Sequence, residues 1–292
     1  MKLSHNDLKI LMEIALQASQ KAGHYIQSAK YESWSIQTKK SELSPAAQIF
    51  TEVDQNSQDI ICQELQPTLA KYQLGFLTEE SPDDKSRLEK DHFWCVDPLD
   101  GSLAFTQKQP GYAISIALLN KAGISILAVV QNPTTGDIYH AIKGQGLFKN
   151  NAPFESKAST SKFTWICDPN FKNHPDYDKF LAKMQNHATQ NKWELQIINI
   201  GGAVLNTIWV LEHAPAVYFK LPKTQIGGGS IWDFAASACF FAETEFVNTN
   251  FNGTSLELNN PHSTYMHSQG VFVSSDLANP NLINKLTHKK QP

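Results

Sequence analysis

The chain has 292 residues, of which 41% are hydrophobic and 18% are charged, and its formal net charge is −3. This composition is typical of a globular protein whose core supports one large domain or two medium ones. A chain so close to neutrality lacks the basic field that wraps a nucleic acid polymer, so we expect no such partner.

Cysteine usage and apolar runs bear on cellular location. The four cysteines are widely separated and form no CxxC pair, which argues against a zinc or redox motif and indicates thiols in a reducing compartment. The N-terminal segment MKLSHNDLKILMEIALQ lacks the features of a signal peptide. No apolar run reaches the roughly 18 residues that a bilayer requires. We therefore expect a cytoplasmic protein that acts without a membrane.

The first half of the chain predicts two helices followed by strands. Apolar residues between Leu8 and Ile26 recur at three- and four-residue steps, which predicts an amphipathic helix, and a second helix is expected over about 53–70. The polar segment KKSELSPAAQ between them indicates a loop. Between residues 74 and 148, short β-rich segments predict strands at LGFLTEE, HFWCVDP, YAISIALLN, ISILAVVQNP and DIYHAI. GQGLFKNNAPF then indicates a hairpin.

The second half alternates between strand and helix patterns. Strands are predicted at TWICD, ELQIINI, APAVYFK and GVFVSS. Helices are predicted over about 176–188, at GGAVLNTIWVLEH, at SIWDFAASACFFAE and near the C-terminus. This alternation is typical of a layered α/β protein. The polar segment NNAPFESKASTSK predicts a boundary between an N-terminal α+β half, residues 1–155, and a C-terminal α/β half, residues 156–292.

The segment FWCVDPLDGS carries an apolar strand directly into two carboxylates, Asp97 and Asp100. The Asp-Pro-x-Asp pattern fits a type I turn, which would direct both carboxylates toward one point. With the carbonyl of Leu99 they form a set of hard oxygen donors that suits Mg²⁺ or Mn²⁺ better than zinc. The amides of Gly101 and Ser102 follow, where phosphate could dock. The alternative is an ordinary turn stabilised by its own side chains.

Two other acidic segments have both a structural and a functional interpretation. Glu79 and Glu80 close a predicted strand, either as solvated residues or, if the strand ends there, as a metal ligand and a water-positioning group. Asp233 forms a capping box with Ser230 before an apolar helix. The glycines at 227–229 nevertheless indicate a backbone that closely approaches a ligand or a strand.

The Thr51–Asp54 segment likewise leads into a helix, and helix capping alone would account for it. The histidines show no paired spacing, and no serine nucleophile elbow is present. The carboxylates therefore favour attack by metal-activated water over covalent catalysis.

Together, Glu79-Glu80, the Asp-Pro-Leu-Asp-Gly-Ser segment and the Trp-Asp-x-Ala-Ala element at 232–236 resemble the inositol monophosphatase superfamily. These magnesium-dependent, lithium-sensitive phosphatases include inositol monophosphatases, 3′(2′),5′-bisphosphate nucleotidases and fructose-1,6-bisphosphatases. Order and spacing agree over about residues 40–240. The resemblance implies a layered α-β-α-β-α sandwich with its active site between the two halves, and it implies a homodimer.

The resemblance also implies roles for individual residues. One metal would be held by Glu79, Asp97 and the Leu99 carbonyl, and a second by Asp97, Asp100 and Asp233. The cofactor would be Mg²⁺, two or three ions per site, with Mn²⁺ as the alternative. The loop around Lys40 matches the family only loosely, which leaves a third metal site and the role of Lys40 open.

The remaining implied roles concern water and substrate. Ser102, where threonine is more usual, would orient the attacking water with Asp54, and Glu80 would support this arrangement. The residues expected to contact the substrate are Gly101, Ser102, Gly202, Lys220 and Ser230.

The substrate prediction depends on Lys220. Inositol monophosphatases tend to have a glutamate after this strand, whereas Tyr218-Phe219-Lys220 resembles a Tyr-x-Arg arrangement of bisphosphate nucleotidases. A lysine favours a second anionic group, unless it is only a surface lysine ending a strand. We therefore predict hydrolysis of 3′-phosphoadenosine-5′-phosphate to AMP. The alternatives are an inositol-1-monophosphatase or related sugar-phosphate phosphatase, and a non-catalytic metal- or nucleotide-binding regulator.

Overall fold

The computed structural model describes residues 2–32, 34–38, 49–277 and 282–283. The predicted loop KKSELSPAAQ, with Lys40, lies outside the described residues, as does most of the predicted C-terminal helix. Within the described part of the chain, no helix combines the length and apolar character needed to cross a bilayer.

Three of the described α-helices begin at a side-chain capping box, and the others begin without a side-chain cap. The α-helices of the described residues are α1 (His5–Ala29), α2 (Glu52–Tyr72), α3 (Ser86–Glu89), α4 (Ser102–Thr106), α5 (Tyr177–Gln190), α6 (Ala203–Glu212) and α7 (Ile231–Ala242). A 3-10 helix spans Pro169–Asn173. Capping boxes start α1, α2 and α7, so the predicted capping roles of Asp54 and Asp233 are confirmed.

The strands form one small and two larger sheets. An antiparallel pair consists of β1 (Ile36–Thr38) and β2 (Ile49–Thr51). A seven-stranded sheet follows chain order: β3 (Gly75–Thr78), β4 (His92–Asp100), β5 (Ala113–Asn120), β6 (Ser125–Gln131), β7 (Ile138–Ile142), β8 (Leu147–Lys149) and β9 (Ala152–Pro153). A five-stranded sheet has the order β11-β10-β12-β14-β13, formed by β10 (Lys162–Ile166), β11 (Glu194–Ile198), β12 (Ala216–Lys220), β13 (Val247–Thr249) and β14 (Val271–Ser274).

The layers explain why the segment before Asp97 is continuously apolar. Successive residues of a strand face opposite sides of the sheet. On β4, Trp94 and Val96 pack in the core formed with α1 and α2, whereas Phe93 and Cys95 pack in the core formed with α6 and α7. A strand covered on both faces needs no polar side, so alternation disappears.

The complete stack has five layers. Helices α1 and α2 cover one face of the seven-stranded sheet, and α6 and α7 lie between the two larger sheets. Helix α5 packs on the outer face of the five-stranded sheet, where Phe180 and Met184 meet Trp165. This α-β-α-β-α sandwich is the architecture that the resemblance implied.

The Asp97–Asp100 segment differs from the predicted type I turn. It extends β4, with Asp97 opposite Ser115 and Asp100 opposite Ala113, so that two residues of β4 face one residue of β5 between these pairs. This bulge tolerates Pro98, which has no N–H for the ladder. The turn prediction was wrong because pairing with β5 continues through the motif.

The predicted boundary at residue 155 lies between the last strand of one sheet and the first strand of the other. Leu119 and Tyr218, which belong to different sheets, nevertheless share one hydrophobic core. The division into two halves stays a prediction.

Candidate active site

A cavity of about 340 Å³ lies where β4, β10 and β12 end and where α4, α6 and α7 begin. Most of the predicted site residues line it: Glu79, Asp97, Leu99, Asp100, Gly101, Ser102, Gly202, Lys220, Ser230 and Asp233. Asp54 and Glu80 are not among its lining residues. The cavity thus gathers residues from both halves of the sequence.

Three carboxylates form the floor of this cavity. Asp97, Asp100 and Asp233 each offer an oxygen, and these oxygens all lie within 4.8 Å of one another. One oxygen of Asp97 accepts a hydrogen bond from the Leu99 amide at 3.1 Å. Its other oxygen, Oδ2, is buried without a hydrogen-bond partner among the described residues.

The electrostatics of this cluster favour a cation. Burial, reinforced by the nearby Glu79 and the other aspartates, raises the pKa of Asp97 well above its usual value. Burial and the charge of Asp233 do the same to the pKa of Asp100, and burial with Glu79 raises the pKa of Asp233 to about 6. An unpartnered buried oxygen among mutually repelling carboxylates fits a hard divalent ion, since all donors are oxygens.

Asp100 is held at the start of α6. Its Oδ1 accepts from the amide of Ala203 at 3.2 Å, and its Oδ2 accepts from the amide of Val204 at 2.8 Å. This approach leaves no room beside Gly202, where a Cβ would lie 2.3 Å from Asp100 Oδ2. Gly202 is therefore required for the position of Asp100.

Asp233 is held at the start of α7 in a similar way. Its Oδ2 accepts from the amide of Ser230 at 2.7 Å. Gly229 has a φ of +82°, and a Cβ there would lie 2.7 Å from the same oxygen. The glycine run predicts an approach to a ligand or a strand, but the group that Gly229 closely approaches is the carboxylate of Asp233.

Ser102 and Asp54 form a hydrogen-bonded pair beside the cluster. The Ser102 hydroxyl lies 2.5 Å from Asp54 Oδ1 and 3.0 Å from the Leu99 carbonyl. The other Asp54 oxygen accepts from the Thr51 amide at 2.8 Å and from its hydroxyl at 2.5 Å. Burial, opposed by these hydrogen bonds, raises the pKa of Asp54 to about 6.

The two glutamates have different positions. Strand β3 ends at Thr78. The alternation of side chains along a strand therefore does not force Glu79 and Glu80 to opposite faces, and this is what a role at one site requires. Glu79 lines the cavity. The amide of Glu80 donates to Gln58 Oε1 at 3.0 Å, which also accepts from the Thr78 hydroxyl at 2.6 Å.

Lys220 forms an ion pair with Asp168, a partner that the sequence did not predict. Its Nζ lies 2.6 Å from Asp168 Oδ2, and its side chain is only 15% exposed. Burial opposes its charge, but the Asp168 carboxylate raises the pKa of Lys220. Lys220 is therefore not a surface lysine. Asp168 could have been suspected because it is the last residue of the predicted strand TWICD, at the end where α/β sheets place ligands.

The rim of the cavity contributes a cation and two apolar side chains. Lys223 is largely exposed, and partial burial together with the charge of Lys220 lowers its pKa. Ile200 and Ile226, which are 43% and 49% exposed, line the same opening. The sequence drew no attention to any of these three residues.

Comparison with known proteins finds a matching family model and several relatives. Residues 7–291 match the model of the inositol monophosphatase family. Inositol monophosphatase 2 of Rattus norvegicus is 26% identical over 251 residues, 84% of this chain and 81% of that protein. The Nus factor SuhB of Pasteurella multocida is 25% identical over 284 residues, 97% of this chain and 96% of that protein.

A solved structure shows the same fold. The crystal structure of an IMPase/NADP phosphatase complexed with NADP and Ca²⁺ superposes with a TM-score of 0.72. It is 19% identical to this chain, and the superposition covers 99% of this chain and 98% of that structure.

Proposed function

The chain belongs to the inositol monophosphatase family of phosphatases, and on that premise we propose that it hydrolyses a small phosphate monoester at the Asp97, Asp100 and Asp233 cluster. The observation that carries this proposal is the unpartnered, buried Oδ2 of Asp97 among these like-charged groups. Such a cluster is costly to bury unless a cation joins it.

The residues that would hold the cofactor are Glu79, Asp97, the Leu99 carbonyl, Asp100 and Asp233. When bound there, Mg²⁺ or Mn²⁺ would lower the pKa of the attacking water and neutralise phosphate oxygens. The number of ions, two or three, and the choice of Mg²⁺ over Mn²⁺ are part of the proposal.

The protein's own contribution to proton transfer is proposed to come from Ser102 and Asp54. A Ser102 hydroxyl that donates to Asp54 keeps its lone pairs for a hydrogen bond from water. With a pKa of about 6, Asp54 is a carboxylate at neutral pH and is well matched to accept a proton relayed through Ser102. Glu80 would act only indirectly, through the β3 end that Gln58 anchors.

The other end of the cavity is proposed to bind phosphate and the alcohol part of the ester. Gly101, with a φ of +83°, is the N-cap of α4, and both Gly101 and Ser102 line the cavity with the acidic cluster. We assign phosphate contacts to these two residues, and contacts with the alcohol to Gly202, Lys220 and Ser230.

Inositol 1-phosphate or a related polyol phosphate is our first candidate substrate. Our prediction of a bisphosphate nucleotide assumed that the charge of Lys220 was available, but Asp168 pairs with it at 2.6 Å. An internal ion pair presents little net charge to a second phosphate. It still offers carboxylate lone pairs to the hydroxyls of an uncharged alcohol.

A bisphosphate nucleotide is the second candidate, because the rim supports it. Lys223 adds a cation, and Ile200 and Ile226 offer apolar surface for a base. The similar solved structure that contains NADP makes a nucleotide compatible with the fold. A 3′-phosphoadenosine-5′-phosphate molecule would use all three residues.

The test is release of inorganic phosphate with Mg²⁺ from inositol 1-phosphate and from 3′-phosphoadenosine-5′-phosphate. We expect turnover of at least one ester and faster turnover of inositol 1-phosphate. Dominant turnover of the nucleotide would reverse the order of the two candidates. Absence of turnover on both would contradict this proposal and favour the non-catalytic regulator.

Two broader expectations accompany this proposal. All four cysteines are free thiols, three of them buried, which supports a cytoplasmic location. The homodimer implied by the family resemblance stays a prediction, and light scattering on the purified protein would test it.

A further inference from the structure

Asp168 reaches Lys220 because two parallel strands end side by side. Strands β10 and β12 are paired in parallel, with Ile166 opposite Tyr218. If this register is continued by two residues, Asp168, which lies just beyond the end of β10, is opposite Lys220. Since side chains alternate along a strand, Tyr218 and Lys220 face the same side and both meet Asp168.

Three donors from two elements hold the Asp168 carboxylate. Lys220 Nζ lies 2.6 Å from Oδ2, while the Tyr218 hydroxyl and the Asn206 amide donate to Oδ1 at 2.9 and 3.2 Å. A carboxylate has about four lone-pair positions, so one position on Oδ2 remains for a ligand. The Asp168 side chain is 33% exposed and lines the cavity.

We propose that Asp168 determines substrate specificity by holding Lys220 as an internal counter-ion, which disfavours a second anionic group on the substrate and favours an uncharged, hydroxyl-bearing alcohol. This inference rests on the proposed phosphatase function. In this role Asp168 does not touch the reacting phosphate. It sets the charge and the hydrogen-bonding capacity of the wall that faces the alcohol.

The charges explain the direction of this preference. The Asp168–Lys220 pair is neutral, so a second phosphate gains little from Lys220 and meets the Asp168 carboxylate at the same wall. Removing only the Asp168 charge would leave the partly buried Lys220 ammonium without its ion-pair partner. The more distant Asp100 and Asp233 would be the carboxylates that still act on its charge. Such an ammonium binds a second phosphate strongly, because charged hydrogen bonds gain strength away from bulk water.

The test compares Asp168→Asn with wild type by the ratio of kcat/KM for 3′-phosphoadenosine-5′-phosphate to that for inositol 1-phosphate. We expect this ratio to rise about tenfold, the effect of one additional charged contact. Asp168→Glu keeps the charge and should retain the wild-type ratio. Asp178→Asn is the matched control, because Asp178 is exposed on α5 and does not line the cavity.

A double variant checks that the gain passes through Lys220. In Asp168→Asn/Lys220→Gln the tenfold rise should disappear, since the freed ammonium is gone. An unchanged or lower ratio in Asp168→Asn would overturn the proposal, and so would a rise that persists in the double variant.

The outcome is separable from that of the proposed function. Turnover by the wild-type protein tests the phosphatase, whereas the change between variants tests Asp168. If the wild-type protein turns over neither ester, titration calorimetry can compare the Kd of wild type and of Asp168→Asn for 3′-phosphoadenosine-5′-phosphate. Equal affinity of wild type and Asp168→Asn would then refute the role of Asp168. If Asp168→Asn does not fold, Asp168→Ser replaces it with the same expectation.

Discussion

Replacing Asp97 with asparagine should stabilise the metal-free protein while abolishing its activity. Asparagine has nearly the same shape and keeps the oxygen that accepts from the Leu99 amide. It replaces the unpartnered, buried Oδ2 with an NH₂ group, which can donate to the neighbouring aspartates. The same exchange removes a negatively charged ligand from the proposed metal site.

The magnitude follows from the distances within the cluster. The acidic oxygens lie within 4.8 Å of one another, and two like charges at that separation repel by about 3.5 kcal/mol at an effective dielectric constant of about 20. The raised pKa values of Asp97 and its neighbours show that protonation already relieves part of this repulsion. We therefore expect a gain of about 2 kcal/mol in the free energy of unfolding, or about 3 °C in Tm.

Thermal unfolding in a chelator and phosphate release in Mg²⁺ measure the two effects separately. Activity should fall by at least about 100-fold, because loss of a ligand costs more than the 10–100-fold typical of the groups that support ligands. Asp59→Asn is the control, since Asp59 is exposed on α2 and should change stability by less than about 0.5 kcal/mol. A less stable metal-free Asp97→Asn, or one with wild-type activity, would refute this reasoning.

Other changes test the remaining parts of the site. Ser102→Ala removes the hydroxyl that donates to Asp54 and should lower kcat by about 100-fold, whereas Ser102→Thr keeps the hydroxyl and should retain activity. Gly202→Ala places a Cβ 2.3 Å from Asp100 Oδ2, so we expect a loss of about 1–3 kcal/mol in stability and weaker Mg²⁺ binding, seen by calorimetry. The pKa of Asp233 rises from 3.8 to about 6 on folding, so the metal-free fold binds more protons than the unfolded chain and loses stability as pH rises through this window. Mg²⁺ at about 100 times its Kd should then add about 2.7 kcal/mol at pH 8 and less at pH 5, which thermal unfolding at both pH values would show.

Local patterns were sufficient to predict most elements of the fold. The periodicity of α1, the capping box of α2 and the apolar run of β4 depend on neighbouring residues, and the structure places each of them as predicted. The turn at Asp97–Asp100 was wrong because its conformation depends on Ser115 and Ala113 of β5. A local rule for Asp-Pro-x-Asp cannot include a strand that follows later in the chain.

The difference between local patterns and contacts of distant segments also separates the site residues that were predicted from those that were not. Asp97, Leu99, Asp100, Gly101 and Ser102 form one continuous segment whose donor chemistry is visible in the sequence. The proposed role of Asp168, by contrast, depends on its ion pair with Lys220. That residue is 52 positions away and is brought next to Asp168 only by the register of the strands. Its partners Tyr218 and Asn206 were equally invisible as a group.

Helix capping and the proposed metal binding are compatible roles for the same acidic side chains. Three acidic residues, Asp54, Asp100 and Asp233, accept amide hydrogen bonds at the starts of α2, α6 and α7. The positive ends of three helices therefore converge on the acids, which makes buried negative charge tolerable before any cation binds. In Asp54, one oxygen caps a helix while the other receives the Ser102 hydroxyl. Helix capping thus orients the acidic side chains in this fold. An acidic capping residue close to a strand end is therefore an argument for a functional site, not against one.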